Sequence, residues 1–280
     1  MALASIDVSP LALVGHGHGA ATPGLDAWAL VEGAGLAALA AAAALYALGL
    51  WASRRRSPWP VRRALSWFAG VACAAIAIGP VARAAHESFT AHMVGHLLLG
   101  MLAPLLLVLG APVTLALRSL AVDDARALSR LLRSRVVRWV THPITAGVLN
   151  AGGLWLLYGT ELFALMHGSA LVHAAVYLHI LLAGCVFTAS LVGVDPDPHR
   201  ASLRVRATVL VAFIAVHSML AKRLYAYPPA GVDALDAQIG SQVMYYGGDV
   251  VDVALLVLLG LGWFRATRPA RRAVVVGATT

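Results

Sequence analysis

The feature that most constrains this chain is a series of long apolar runs separated by short segments rich in arginine. A helix needs about 20 apolar residues to cross the roughly 30 Å hydrocarbon core of a bilayer. We predict spans at 27–51, 64–85, 89–117, 142–161, 168–192, 205–227 and 243–264. Charged residues make up only 12% of the chain, against about 25% in ordinary soluble domains. The predicted fold is an all-α polytopic membrane protein with seven transmembrane helices.

The arginines predict how these helices are oriented, because basic residues are concentrated in cytoplasmic loops. Eighteen of the 21 basic residues follow the first, third, fifth and seventh spans, and only Arg83, Lys222 and Arg223 belong to the other side. This alternation predicts an N-out, C-in topology. It also accounts for the net charge of +8 without nucleic acid as a partner.

The regions outside the spans are short. We expect residues 1–26 to be a flexible extracytoplasmic tail, 27–264 to be the seven-helix membrane domain, and 265–280 to be a cytoplasmic tail. Within the domain, the segment 121–140 carries apolar residues at helical spacing with arginines between them. That pattern predicts one amphipathic helix on the cytoplasmic lipid surface. A solvated linker helix is the alternative.

Histidine is concentrated toward the predicted outer face. Counting depth at about 1.5 Å per residue, nine of the 11 histidines lie outside the membrane or in its outer half. His92 and His96 are one turn apart on one helix face, a spacing that lets two imidazoles reach one metal ion. His173, His179 and His217 are the further candidate ligands. Taken singly, each of these three histidines fits better as a buried residue that bonds a neighbouring helix, and it is their concentration at one depth that favours a metal site.

The relative directions of two of these histidines follow from helix geometry. His173 and His179 are six residues apart, so at roughly 100° per residue they point about 120° away from each other. One of them can face the His92–His96 pair while the other bonds elsewhere. We therefore do not expect the two to chelate one ion as a pair.

Sulfur and carboxylate groups share the layer of histidines. Met93 is next to His92, and imidazole with thioether suits copper, particularly the reduced ion. Asp249 and Asp252 lie three residues apart on one face of the seventh span. They are candidates to orient metal-bound histidines, or to make a polar contact with Lys222 or Arg223. Plain packing is the alternative for the methionine.

Three segments resemble one known family. They are AHMVGHLLLGMLAPLLLVLGAP around His92, HAAVYLHILLAG around His173, and LDAQIGSQVMYYGG before and into the seventh span. Together they resemble the membrane-embedded cytochrome c oxidase assembly factors called CtaG, the seven-span type first described in Gram-positive bacteria. The third segment is similar to an Asp-Gln-Gln-x-Gly-Gly-x-x-Met-Trp pattern of that family. It matches at Asp236, Gln238, Gly240 and Met244, and departs from the pattern at Ala237, Ser241 and Tyr245.

The resemblance implies a role in the maturation of haem–copper oxidases, through copper delivery or insertion. It implies a bacterial cytoplasmic membrane as the location, membrane lipid as the surroundings, and an oxidase subunit as the client. A periplasmic or extracellular copper chaperone is a further expected partner. Related chains are also fused to copper-resistance domains, which keeps copper transport as an alternative.

Two further functions are weighed against this one. A haem-binding membrane protein needs two axial histidines on facing helices, for which His96 and His173 are candidates. A zinc protease of the HExxH type needs a histidine at position 90, where the chain has Thr90 after His86. We therefore expect no enzymatic activity, copper as the bound metal, and haem as the alternative cofactor.

Overall fold

The computed structural model describes residues 26–56 and 58–267, which form helices and connecting turns without any strand. In chain order the helices are α1 (Ala27–Ser53), α2 (Val61–Ala84), α3 (Phe89–Ser119), α4 (Val122–Leu132), α5 (Arg135–Val140), α6 (Pro143–Gly159), α7 (Leu162–Gly168), α8 (Ala170–Val192), α9 (Leu203–Ala226) and α10 (Ala234–Thr267). His16 and His18 lie outside the described residues, as do almost all of the two predicted tails.

The number of spans depends on how one bent helix pair is counted. Six helices, α1, α2, α3, α8, α9 and α10, are each long and apolar enough to cross a membrane. The predicted fourth span is instead α6 followed by α7, which meet at an angle of 78°. Counting that pair as one span gives seven. Among the described residues the multi-span, all-helical class is confirmed.

Two predicted elements differ from the structure. The single amphipathic helix at 121–140 is wrong, because it is two helices, α4 and α5, and the Ser134 hydroxyl caps the second by accepting from the Val137 amide. Serine is a preferred N-cap residue, so Ser134 starts a new helix here. The last helix begins at Ala234, well before the predicted start at 243, because the Asp233 carboxylate caps it through two amides.

Two proline-containing helices widen locally into π-helical turns. In α2 the turn Ala77–Val81 contains Pro80, which has no amide hydrogen to bond the carbonyl four residues earlier. In α3 the turn Leu98–Leu102 comes just before Pro104. Such turns are frequent at functional sites, and the one in α3 begins two residues after His96.

The bundle has two chemically different ends. At one end the Arg56 guanidinium donates to the Arg118 carbonyl, and the His199 Nε2 lies 3.4 Å from the Arg133 carbonyl. We call this the arginine end. At the other end, the histidine end, Trp28 packs against His86. Loops predicted to share a side therefore do share an end of the fold.

Two aspartates tie helix ends to distant parts of the chain. Asp236, in the first turn of α10, accepts hydrogen bonds from the Phe89 amide at 2.6 Å and the Thr90 amide at 3.1 Å. Asp195, after α8, does the same for the Val113 and Thr114 amides at 3.2 and 2.7 Å. The first cap fixes the start of α3 beside His92. The second fixes its last segment, Pro112–Ser119, which follows the left-handed residue Ala111.

Candidate functional site

Four histidine rings form a continuous series at the histidine end. His173 stacks on His86 with ring centroids 6.0 Å apart, His86 lies 6.2 Å from His167, and His167 lies 6.0 Å from His92. His86 is exposed, His167 and His173 are partly buried, and His92 is buried. We call these four residues the outer histidine group. They run from the surface of the protein into its core.

The hydrogen bonds of this group leave one ring nitrogen with a lone pair that could bind a metal. The His167 Nδ1 lies 2.8 Å from the Phe163 carbonyl, which can only accept, so Nδ1 carries the hydrogen and Nε2 keeps its lone pair. The other ring nitrogen of a histidine, free in this way, is the usual metal ligand. His92 Nε2 lies 2.9 Å from the Tyr158 hydroxyl, which is also 3.9 Å from the Met93 sulfur. Met93 is therefore one hydrogen-bonding group away from His92.

The outer histidine group borders a cavity of about 920 Å³ between α1, α2 and α8. The ion pair between Arg83 and Glu32, 2.7 Å long, lies in its wall. Further polar lining comes from Asp26, Trp28, His86, His167, His173 and Tyr177. The deeper wall is apolar and includes Leu39, Ile78 and Leu181. Three of the four outer histidines, His86, His167 and His173, therefore line this cavity.

A second histidine pair lies deeper in the bundle. The rings of His96 on α3 and His217 on α9 are 5.8 Å apart, and each residue is at most 5% exposed. Both ring nitrogens of His96 and the Nε2 of His217 are buried without a hydrogen-bond partner. Helix α10 closes this site, because a side chain on Gly248 would meet the His217 ring. We call His96 and His217 the inner histidine pair.

The two acidic candidates, Asp249 and Asp252, differ in how far they are buried. Asp252 is 2% exposed and neither carboxylate oxygen has a hydrogen-bond partner, whereas Asp249 is partly buried. Within residues 26–56 and 58–267 the ion pairs are Glu32 with Arg83 and Asp123 with Arg126. Lys222, considered above as a partner for these acids, lies instead over the ring of Tyr245. Asp252 remains a buried carboxylate next to the inner pair.

The five predicted histidine ligands therefore occupy three places. His92 and His173 belong to the outer group, and His96 and His217 form the inner pair. His179 is exposed on α8, and its Nε2 donates to the Leu149 carbonyl of α6 at 3.2 Å. As the 120° separation predicts, it has different neighbours from His173. The haem candidates also have different partners, since His96 lies against His217 and His173 against Trp28, His86 and Tyr177.

Sequence reasoning placed His86 and His167 at the outer face and left them out of the site. His167 was assigned to a loop, but it lies on α7, which the bend after α6 turns back toward His92. The sequence did contain one indication of their proximity, because the loops of His86 and His167 were predicted to lie at the same end of the bundle. Among the described residues, no three histidine, cysteine or acidic side chains converge as a ready-made metal site. Any metal here needs two ligands or a movement of the rings.

Residues 44–266 match the family described as cytochrome c oxidase caa3 assembly factor, Caa3_CtaG. Uncharacterised proteins of Mycobacterium bovis and Mycobacterium tuberculosis are each 39% identical over 182 residues, or 62% of this chain. One of Mycobacterium leprae is 30% identical over 235 residues, or 76% of this chain. The chain spans only 28% of the length of the first two relatives and 36% of the third. No solved structure matches.

Proposed function

This chain belongs to the cytochrome c oxidase caa3 assembly factor family, and we propose that it binds copper at its histidine end and delivers it to an oxidase subunit. Copper is then cargo rather than a resident cofactor. An assembly factor acts on a client protein, so the family favours a role without catalysis. The expected partners are the oxidase subunit and an extracytoplasmic copper chaperone.

One observation carries the proposal, the gradient of burial along the outer histidine group. His86 is exposed at the cavity, His167 is partly buried, and His92 is buried. A metal–imidazole bond is roughly 2 Å long, so two rings that share an ion have centroids at most about 6 Å apart. The separations of 6.0 and 6.2 Å lie at that limit. Neighbouring histidines at this separation can share a copper ion once their ring nitrogens turn toward it.

The donor chemistry supports copper over harder ions. The group offers imidazole nitrogens, and in His167 the Phe163 carbonyl engages Nδ1 and leaves Nε2 without a hydrogen-bond partner from the carbonyl. Imidazole suits copper and zinc, whereas magnesium and calcium prefer oxygen ligands. The buried Met93 thioether adjoins His92 through Tyr158. Sulfur near the site favours the reduced ion.

The opposite half of the bundle supports delivery over transport. An apolar cluster fills it, including Leu105, Phe187, Leu191, Leu210 and Leu255. A transported cation needs polar groups along its route, because charge in an apolar membrane interior costs several kcal/mol. The arginine distribution supports a histidine end that lies outside the cytoplasm. Copper would therefore be received and released on that side.

The test is copper binding by the purified full chain. Cu(I) is titrated anaerobically against a chromogenic chelator, and we expect wild-type protein to bind it. In the variant His92→Leu/His167→Leu the affinity of the outer histidine group for Cu(I) should fall by more than about 10-fold, since even groups that only support a ligand contribute 10- to 100-fold. The control is His199→Leu, at the arginine end. Wild-type protein that binds no copper, or an outer variant that binds as wild type does, overturns the proposal.

The same preparation tests the haem alternative. A haem protein shows an intense Soret absorption band, and elemental analysis separates iron from copper. We expect copper and no Soret band. A Soret band with stoichiometric iron replaces the copper proposal with haem binding.

A further inference from the structure

Helix α10 and its neighbours α3 and α9 bury polar side chains that have no hydrogen-bond partner. Both ring nitrogens of His96, the Nε2 of His217, the Ser241 hydroxyl and both oxygens of Asp252 are buried without a hydrogen-bond partner. Each of these four residues is at most 5% exposed. Buried polar groups are almost always paired, and an unpaired group calls for an explanation such as an ion. Three helices, α3, α9 and α10, supply these atoms.

The inner face of α10 brings its polar groups to the histidines. Ser241, Gly248 and Asp252 lie at intervals of seven and four residues, which place them on one helix face. Gly248 lies against the His217 ring, where a β-carbon would stand 2.5 Å from Cε1. Asp252 follows one turn further along. The Asp252 carboxylate, which has no hydrogen-bond partner among the described residues, therefore lies one turn beyond the point where α10 meets the His217 ring.

The spacing of the two rings matches a single ion between them. The centroid separation of 5.8 Å is within the limit of about 6 Å set by two metal–nitrogen bonds of roughly 2 Å. With two imidazoles and no third converging ligand among the described residues, the site suits an ion that is stable with two ligands. Cu(I) is such an ion, whereas Zn²⁺ is almost always four-coordinate in structural sites.

We infer that the inner histidine pair is a second copper site, selective for Cu(I) and loaded through the outer histidine group. His92 of the outer group and His96 of the inner pair are one turn apart on α3, so the two sites are adjacent. The loading route rests on the proposed function. The two-ligand site rests only on the geometry of His96 and His217.

Gly248 acts in this site as a positioning residue. Its missing side chain lets the His217 ring lie directly against the α10 backbone. Gly248→Ala would push the ring aside while leaving both imidazoles in the protein. We expect this variant to weaken the inner site, and to leave the outer histidine group unchanged.

The experiment counts copper ions and ligands on the full chain in detergent. We expect wild type to bind two Cu(I) per chain, and His217→Leu to bind one, released quickly to a chelator. His92→Leu/His167→Leu should retain the inner ion and exchange it more than about 10-fold more slowly. The matched control is His179→Leu, a histidine of similar depth whose partner is the Leu149 carbonyl. X-ray absorption of the copper retained by the outer variant should show two nitrogen ligands.

The outcomes separate this inference from the proposed function. If His217→Leu and Gly248→Ala bind as many Cu(I) ions as wild type, with unchanged release, the inner site is refuted and the outer one stands. If only the inner variants lose copper, the outer site is refuted and the inner one stands. Three or four nitrogen ligands on the retained ion would refute the two-ligand geometry. Monodisperse elution and unchanged thermal unfolding of each variant exclude a folding defect.

Discussion

The sharpest structural test concerns Asp236, in the first turn of α10. Its carboxylate accepts four hydrogen bonds at the start of α3, from two amides, the Thr90 hydroxyl at 2.6 Å and the Ser88 hydroxyl at 3.2 Å. Asp236→Ala removes all four. The first turn of α3 then loses the acceptor for its Phe89 and Thr90 amides but keeps the Ser88 hydroxyl, which accepts from the Ala91 amide. Helix α10 keeps the separate cap provided by Asp233.

The magnitude follows from the bonds that are lost. Hydrogen bonds to charged groups contribute about 1.5–3 kcal/mol each, and they are not additive at one partly exposed group. Losing an N-cap costs about 0.5–2 kcal/mol. We take about 2–3 kcal/mol for local opening of the first turn. At 1.4 kcal/mol per factor of ten, the Phe89 and Thr90 amides should exchange hydrogen roughly 30- to 100-fold faster.

The assay is residue-resolved hydrogen exchange on purified protein, with two controls. Asp236→Asn keeps one carbonyl oxygen and should give an intermediate rate. Asp195→Ala removes the equivalent cap at the far end of α3 and should accelerate Val113 and Thr114 instead. Unchanged exchange at Phe89 and Thr90, or equal acceleration at both ends in both variants, would refute the capping argument.

Two other predictions test packing and orientation. Gly184→Leu places a side chain against the α3 backbone where α8 crosses it, and overpacking of this kind costs about 1–3 kcal/mol or more. Its thermal unfolding in detergent should fall, whereas Gly260→Ala, at an open position, should unfold as wild type does. With the native cysteines replaced by alanine, Glu87→Cys should react with an impermeant maleimide in intact cells, and Arg130→Cys only after lysis. The reverse labelling pattern would place the histidine end in the cytoplasm.

The spans were predictable because they depend on properties that run along the chain. Apolar run length and the alternation of arginine are local, and they placed α1, α2, α3, α8 and α9 within a few residues. The bend between α6 and α7 was not predictable in this way. It depends on the geometry around Thr160, where the hydroxyl accepts from the Leu162 amide and donates to the Leu156 carbonyl. A hydropathy profile contains no information about these side-chain hydrogen bonds, so it does not predict the bend.

Depth along a helix was easier to predict than the facing partner. The layer of histidines follows from counting residues, and His92, His96 and His173 do lie near the histidine end. Which rings meet depends on how neighbouring helices are rotated. His96 turns to His217 and His92 turns to His167, although one turn of α3 separates them. The i, i+4 rule predicts that two residues share a face, but it does not fix their neighbours.

If the chain delivers copper as proposed, the position of the inner pair restricts how the ion leaves. Below His217 an apolar cluster that includes Phe213, Phe187, Leu210 and Leu255 surrounds the single buried carboxylate of Asp252. Since the outer histidine group adjoins the inner pair on the side from which the ion entered, we expect the ion to leave by the same rings. Release then requires a client that approaches the histidine end with a better set of ligands. Copper bound at the inner pair would therefore be released only after that client has bound.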